Sequence, residues 1–442
     1  MFRSCMHIVL FGENPSILEL AKQLSQERHN VQLIASTIPS DLEELYDITI
    51  LSWEQASHHF FGPNNPENVD LLIAGHENDA QNLLICQIAA HMDISTTLCI
   101  SNNGYGRFHQ TLFTNTPAHQ SHTCIRSNQT IAKHIQSLLA LPGCLDFIHL
   151  HTKRIDLACV EIPTDSPLIG QPLQGLLQQA SIPYKACNLW NSTIWETIPL
   201  HHTIAAGNIL LFTLSTPSQL QQLQHAFHCH HQPSIFIVGA NSLVKQTIER
   251  LQHARIKIVD NHSSALLDLA SSHSHVTVLE GSINDFDLFV SEGIADAYAF
   301  LALSDDDENN LVSALQAKKH GARHVFALAK RPELISIIES STIDVGIAPG
   351  DILMEAVYPF CHRKEIHAAH KLAYHMGFVI DMDITDDLAK QTAFWTWLQN
   401  NAYILYVIRN DKILFEHEPS KLLPEDTVVL WTKELSTMYS AW

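Results

Sequence analysis

Basic side chains are scarce: 26 Lys and Arg stand against 46 Asp and Glu, a formal net charge of −20 over 442 residues. A phosphate backbone needs a basic footprint, so the composition argues against nucleic acid as a partner. Long apolar runs are missing too; none approaches the roughly 18 to 20 residues that span a bilayer. The opening MFRSCMHIVLFGEN passes straight into a strand and a turn with no signal-peptide cleavage site, so no direct membrane insertion is expected. There is no CxxC pair among the nine cysteines at 5, 86, 99, 124, 144, 159, 187, 229 and 361. Most lie inside apolar runs, which predicts reduced thiols and a cytosolic setting. Nor is there a GxSxG, a HExxH or a GxxxxGK[ST], so the sequence assigns no catalytic residue and predicts no enzyme.

What is present is half of a dinucleotide motif. SIFIVGANSLVKQTIERLQH, from 234, reads as an apolar strand, one glycine and a helix with apolar positions at helical spacing. In GxGxxG two further glycines should follow Gly239, but Asn241 and Val244 occupy their places. HIVLFGENPSILELAKQLSQ, residues 7–26, repeats the plan with Gly12 and the same substitutions, now Asn14 and Ile17. Farther on, VDLLIAGHENDAQNLLICQIAAHM (69–92) parallels DAYAFLALSDDDENNLVSALQAKKHG (296–321), setting Asp79 and Asn82 against Asp307 and Asn310 at a constant offset of 228 residues. A register held over about 70 residues predicts a tandem duplication of roughly 225 residues.

Each half divides again. Its first part alternates strands and helices, as in a parallel doubly wound sheet, and its second part is strand-rich. IDLACVEI, PYKACNLW and ILLFTLS carry that signal in the first half, and AYILYVI, KILFEH and TVVLWT in the second. The expected fold is α/β, a tandem Rossmann-like parallel-sheet domain plus a small α+β domain. The expected domains are 1–143, 144–230, 231–355 and 356–442.

The strings LPGCLDFIHL (141–150), DSPLIGQPL (165–173), DDDENNLVSALQAKKHGARHV (305–325) and DVGIAPGDI (344–352) occur in this order. With the duplicated architecture, they make nearly the whole chain resemble the TrkA family, the cytosolic RCK-domain regulatory subunits of bacterial Trk potassium uptake systems. The resemblance implies two RCK units, each a Rossmann-like domain followed by a small C-terminal domain. It also implies a homodimer or homotetramer, peripheral on the inner face of the plasma membrane. That assembly would gate a membrane potassium channel subunit of a Trk system in response to NAD(H) or an adenine nucleotide. An NAD-dependent oxidoreductase with a degenerate Rossmann domain is the alternative, and the duplication argues against it.

A Rossmann site needs a glycine turn and an acid ending the second strand, which holds the ribose hydroxyls. In the first half Ala35 and Ser36 stand where that acid belongs, Trp53 replaces a family glycine after the third strand, and Ser101 falls at a family arginine near the phosphates. The second half keeps more: Asp260 ends IKIVD, Gly281 follows LE, Ser282 takes the place of a usual acid, and Lys330 lies near the family arginine. The expected nucleotide contacts are therefore Gly239, Ala240, Asn241, Ser242, Leu243, Asp260, Gly281, Ser282, Ser304 and Lys330, with Gly12 surviving in the first half. The second half is the expected binder, with free backbone amides at its helix N-terminus as anion donors.

Two other clusters have ordinary readings. HAFHCHH places His225, His228, Cys229, His230 and His231 together, but the 29 histidines are a chain-wide excess, so no metal site is assigned. The same holds for His362, His367, His370 and His375; collectively, such imidazoles could reverse much of the negative charge on mild acidification. DDDEN at 305–309 reads as the solvated N-terminus of a helix, with a divalent-cation loop as the alternative.

Overall fold

The computed structural model describes residues 5–36, 46–60, 69–92, 94–102, 121–150, 155–199, 201–229, 232–361, 365–415, 418–435 and 437–438. Its first sheet is built from β1 (His7–Phe11), β2 (Asn30–Ile34), β3 (Ile48–Leu51), β4 (Leu71–Ala74), β5 (Thr96–Ser101) and β6 (Ser121–Arg126). The strands run parallel in the order β3-β2-β1-β4-β5-β6. Among the helices of this half are α1 (Pro15–Gln26), α2 (Trp53–Phe60), α3 (Asp79–His91) and α4 (Ser127–Leu138). Short apolar runs such as LLIA, buried at every position, are what a parallel sheet covered by helices requires.

An antiparallel sheet follows: β7 (Cys144–Leu150), β8 (Ile155–Glu161), β9 (Cys187–Trp190), β10 (Trp195–Thr197) and β11 (Ile209–Leu214), with α5 (Leu173–Gln179) and α6 (Pro217–Ala226). The second half repeats both layers. β12 (Ser234–Val238), β13 (Arg255–Asp260), β14 (Val276–Glu280), β15 (Ala299–Ala302), β16 (His324–Leu328) and β17 (Val345–Ile347) form a parallel sheet. Their order, β14-β13-β12-β15-β16-β17, reproduces the first sheet strand for strand. The helices of this layer include α7 (Ser242–Arg250), α8 (Ser263–Ser272), α9 (Phe286–Ser291), α10 (Asp307–Lys319) and α11 (Pro332–Glu339), and α12 (Pro349–Cys361) follows β17. The chain ends in β18 (Ile366–Lys371), β19 (Phe378–Asp383), α13 (Asp386–Ala389), α14 (Thr392–Asn401), β20 (Ala402–Arg409), β21 (Lys412–Leu414) and β22 (Thr427–Thr432).

The small sheets also match. Their orders are β10-β9-β11-β8-β7 and β21-β20-β22-β19-β18, all antiparallel, and the first hairpin of each opens on a bulge, at Cys144/Asp146 and at Ile366/Ala368. The hairpin β18–β19 was not expected from IHAAHK, whose histidines and lysine blur the alternation. The two small sheets share one core, in which Trp195, Leu157 and Leu211 pack with Val379, Tyr406 and Trp431. Burial of such large apolar groups contributes about 1.5–3 kcal/mol each, enough to make this layer a principal stabilising element.

The chain forms two compact units. One holds residues 1–132, 329–335 and 348–361, and the other holds 133–328, 336–347 and 362–442. The expected boundary at 355 therefore falls inside α12, and α12 packs on α1 of the first unit. Gln23 donates to Asp351 (3.0 Å), the Tyr358 hydroxyl donates to Glu27 (3.0 Å), and Gly350 lets the helix approach Glu19 without a side chain between them. Burial drives the Glu27 carboxyl up to about 8 and the neighbouring His29 imidazole down to about 4, so both are neutral near pH 7.

Candidate functional site

The parallel order of the second sheet reverses direction between β12 and β15, and a crevice opens there at the carboxyl ends of the strands. The turn from β12 into α7 bends at Gly239, whose φ is +108° and where a Cβ would lie 3.0 Å from the Leu303 carbonyl oxygen. Asn241 then caps α7. Its Oδ1 accepts the Val244 N–H (3.1 Å), while its Nδ2 donates to the Leu303 carbonyl (2.8 Å) and to Asp305 Oδ1 (3.1 Å). The residue that displaced the second glycine is thus an N-cap that ties the turn to the end of β15. Of the amides at the helix N-terminus, that of Val244 is thereby already used. Val244 itself is fully buried against the sheet, so the β-branched replacement of the third glycine is accommodated.

Asp260 ends β13 and is 7% exposed; its Oδ1 accepts from the His262 N–H (2.8 Å) and meets His262 Nδ1 (2.7 Å). Oδ2 takes part in neither contact. Across the crevice, Asn310 is completely buried and ties two strand ends together: Oδ1 accepts from Ser304 N (2.9 Å) and Ser304 Oγ (2.7 Å), and Nδ2 donates to the carbonyls of Ser304 and Leu328, each at 3.0 Å. Asp306 caps α10 by accepting from Asn309 N (2.8 Å). DDDEN is therefore a helix N-terminus, and among the described residues no group of His, Cys, Asp or Glu is arranged to hold a metal.

These elements enclose a cavity of about 660 Å³, a size that suits a nucleoside or small nucleotide. Of the residues expected from sequence, Gly239, Ala240, Asn241, Asp260, Ser282 and Ser304 line it. Ser242, Leu243, Gly281 and Lys330 do not; Leu243 is buried, and a Cβ at Gly281 would meet Leu288. Asn261, His262 and Asn284 line the cavity without having been singled out, and Asp305, Asp306 and Asn309 of the DDDEN string line it too. A dinucleotide fits only in part. Asp260 suits a ribose, but the turn where a pyrophosphate would rest is occupied by the Asn241 amide, and no lysine or arginine is among the lining residues.

The first half builds the same frame and closes it differently. Gly12 has φ +139°, and a Cβ there would lie 2.8 Å from the Gly75 carbonyl carbon. Asn14 caps α1 through Ile17 N (3.1 Å) and donates to the Gly75 carbonyl (2.5 Å), and Ile17 packs over Gly75, which has no side chain to obstruct it. Asn82 repeats the role of Asn310, with bonds to His76 N, His76 O and Ile100 O, all 2.8 Å. Strand register puts Ala35 opposite the place of Asp260 and Trp53 at that of Gly281. The Trp53 ring sits 5.5 Å from Phe11 and 6.2 Å from His76, over the strand ends. Asp79, 4% exposed, accepts from Ser101 Oγ (2.8 Å) and Asn102 N (2.9 Å). The matched bonds of Asn82 to Ile100 and Asn310 to Leu328 make Ser101 the counterpart of Ala329 and Asn102 that of Lys330, at the same offset of 228 residues.

A second cavity, of about 770 Å³, was not foreseen; Glu161, Lys318, His324, Asp344 and Tyr374 are among its lining residues. Lys318 contacts both Asp344 carboxylate oxygens at 2.6 Å, the Tyr374 hydroxyl donates to the Asp344 carbonyl, and the Tyr374 N–H donates to Glu339 (3.0 Å). Burial, reinforced by the charge of Asp344, raises the Glu161 carboxyl, and burial lowers the His324 imidazole. The histidine clusters disperse: His367 pairs with Asp383 (2.9 Å), His375 with Glu339 (3.4 Å), and His370 is buried. His225, His228 and Cys229 close α6 and the turn after it, while His230, His231 and His362 lie outside the described residues.

Comparison with known proteins gives a consistent result. Residues 235–349 match the TrkA-N domain. The chain is 24% identical to the Trk system potassium uptake protein TrkA of Haemophilus influenzae, over 85% of this chain and 84% of that protein. It is 22% identical to TrkA of Vibrio alginolyticus, over 96% and 95%. Among solved structures it is similar to the RCK domain of GsuK, with a TM-score of 0.64 at 16% identity over 100% of this chain and 95% of that one. It is also similar to the GsuK channel bound to NAD, with a TM-score of 0.63 at 15% identity over 100% and 79%. Among the described residues no helix is long and apolar enough to cross a membrane.

Proposed function

Starting from a TrkA-N domain at residues 235–349, in a chain similar to TrkA proteins over most of its length, we propose that this protein is a non-catalytic regulatory subunit of a membrane potassium uptake system. On this reading it has four domains, assembles as a homo-oligomer, and acts from the inner face of the membrane on a partner channel subunit. Its switch is an adenine nucleotide or NAD(H) in the second-half crevice. The observation that carries the reading is the asymmetry of two matched frames. Both keep the glycine turn and the asparagine staple, but only the second keeps Asp260 beside an open cavity, while the first carries Ala35 and Trp53. A duplicated frame with one sensing crevice suits a part that transmits a ligand-dependent change rather than one that transforms a substrate.

The test is potassium uptake by cells that express the partner channel subunit with and without this chain. Uptake should depend on the chain and fall with Asp260→Ala, and uptake indifferent to the chain would sink the proposal. A hydride-transfer assay with purified protein should show no turnover; turnover would favour the oxidoreductase instead.

A further inference from the structure

We infer that the chain fills its own first-half crevice with an internal stand-in for an adenine ligand, the Glu13 carboxylate taking the place of the anionic part and the Trp53 indole that of the base. This rests on the two crevices being matched adenine-ligand sites, and it adds an occupant for the one that lacks the ribose acid. Strand pairing fixes the correspondence. Phe11 is flanked by Ile34 and Ala74, and Ile34 by Leu51, as Val238 is flanked by Val259 and Ala302, and Val259 by Leu279. Two residues beyond each of these positions, at the carboxyl ends of the strands, Glu13 stands for Ala240, Ser36 for Asn261, Trp53 for Gly281 and His76 for Ser304.

In the second half Ala240, Asn261 and Ser304 line an open cavity. In the first half the same places are joined across the gap: Glu13 Oε2 accepts the Ser36 N–H (2.9 Å), and the Trp53 ring meets His76 edge-on, with centroids 6.2 Å apart, while packing on Phe11 at 5.5 Å. The two bulky side chains thus stand where the open crevice has only alanine and glycine. Their chemistry is that of the ligand. A nucleotide brings a flat aromatic ring and an anionic group; indole supplies a ring of purine size, and a carboxylate on a strand-end amide makes the charge-assisted bond that a phosphate would make. Ala35, 2% exposed, completes the exchange. An acid there, as at Asp260, would set a second carboxylate beside Glu13, and like charges so close disfavour each other.

Hydrogen exchange of the full chain with AMP, adenosine and indole, with calorimetry for affinity, tests this. Peptides covering 30–36 and 71–78 report the first crevice, and those covering 256–262 and 300–306 the second. In the unsubstituted chain AMP should protect only the second set. Trp53→Gly vacates the place of the ring, so indole and adenosine should each protect the first set as well, with indole bound at least about ten-fold tighter than by the unsubstituted chain. Adding Glu13→Ala should strengthen AMP at the first crevice several-fold, without a comparable gain for adenosine. Where Trp53→Gly fails to fold, Trp53→Leu keeps the apolar contact with Phe11 and takes its place. Protection of the first set by AMP in the unsubstituted chain overturns the inference, because the crevice is then open. So does a folded Trp53 variant that takes up neither indole nor adenosine there, and AMP unmoved by Glu13→Ala overturns the part given to the carboxylate. AMP that protects no peptide of the unsubstituted chain sinks the nucleotide reading instead, and the Trp53 variants still decide this one.

Discussion

Replacing Asn310 with alanine should be among the most damaging single changes in the second half. The side chain has no exposed surface and makes four bonds, to Ser304 N, Ser304 Oγ, Ser304 O and Leu328 O, at 2.7 to 3.0 Å. The Ser304 hydroxyl keeps a second contact with the Asp306 carbonyl (3.2 Å), so three backbone groups are left stranded. A buried polar group without a partner costs about 1–3 kcal/mol. Ser304 lies at the cavity wall, where water can recover part of the loss, whereas the Leu328 carbonyl lies behind it; a total of about 3–5 kcal/mol follows. Hydrogen exchange of the full chain, read on peptides covering β15 and β16, measures this locally and needs no two-state assumption. Asn82→Ala in the first half should cost less, by about 1 kcal/mol, because it strands the half-buried His76 rather than Ser304. A loss under about 1 kcal/mol for Asn310→Ala would refute the argument that these side chains hold the strand ends in place.

Asp260→Ala should weaken an adenine nucleotide by about 1–3 kcal/mol in calorimetry through the lost charge-assisted bond, whereas Ser36→Ala, whose backbone N–H rather than side chain contacts Glu13, should leave it unchanged. The Glu27 carboxyl is raised in the fold to about 8 from 4.5, so its contribution is complete below pH 4.5 and is lost as pH rises through 8. His29, lowered to about 4 from 6.5, contributes in the opposite sense, present above 6.5 and lost as pH falls through 4. The two slopes oppose each other up to about pH 6.5, and from there to about 8 only Glu27 acts, so the melting temperature of the first unit should fall over that window. Glu27→Gln should remove the slope, and an unchanged slope would count against burial as its cause. Gly12→Ala should cost at least about 2 kcal/mol by denaturant titration, since a Cβ would press on the Gly75 backbone, while Gly170→Ala, also at positive φ (+81°) but with nothing within 4 Å, should cost about 1 kcal/mol.

The duplication was legible because its markers are structural necessities: Gly12 and Gly239 make the same close approach, and Asn82 and Asn310 make the same bonds. Asn241 was read as a replaced glycine and a nucleotide contact, not as a cap. Asparagine's preference for the N-cap would have identified its role, since the residue that blocks the phosphate turn is also the one that starts the helix. The β18–β19 hairpin escaped because His367, His370 and Lys371 interrupt its apolar pattern, and Asp381 is completely buried on β19. Nothing in the periodicity of α12 says which surface will receive it; its apolar stripe would fit many partners.

The destination of that helix bears on how such a chain can be made and inherited. α12 follows the last strand of the second parallel sheet yet belongs to the unit built on the first. A gene cut between the halves would yield one product with α1 uncovered and another carrying a sticky, homeless helix. Each fragment would hold a ready-made adhesive for the other, so loss of the covalent link trades folding for association at the mercy of concentration. Continuous translation removes that dependence, since the helix reaches its receptor at a local concentration set by the tether alone. The two copies are thus no longer interchangeable parts that recombination can shuffle. They are bound by an exchanged limb into a single heritable object.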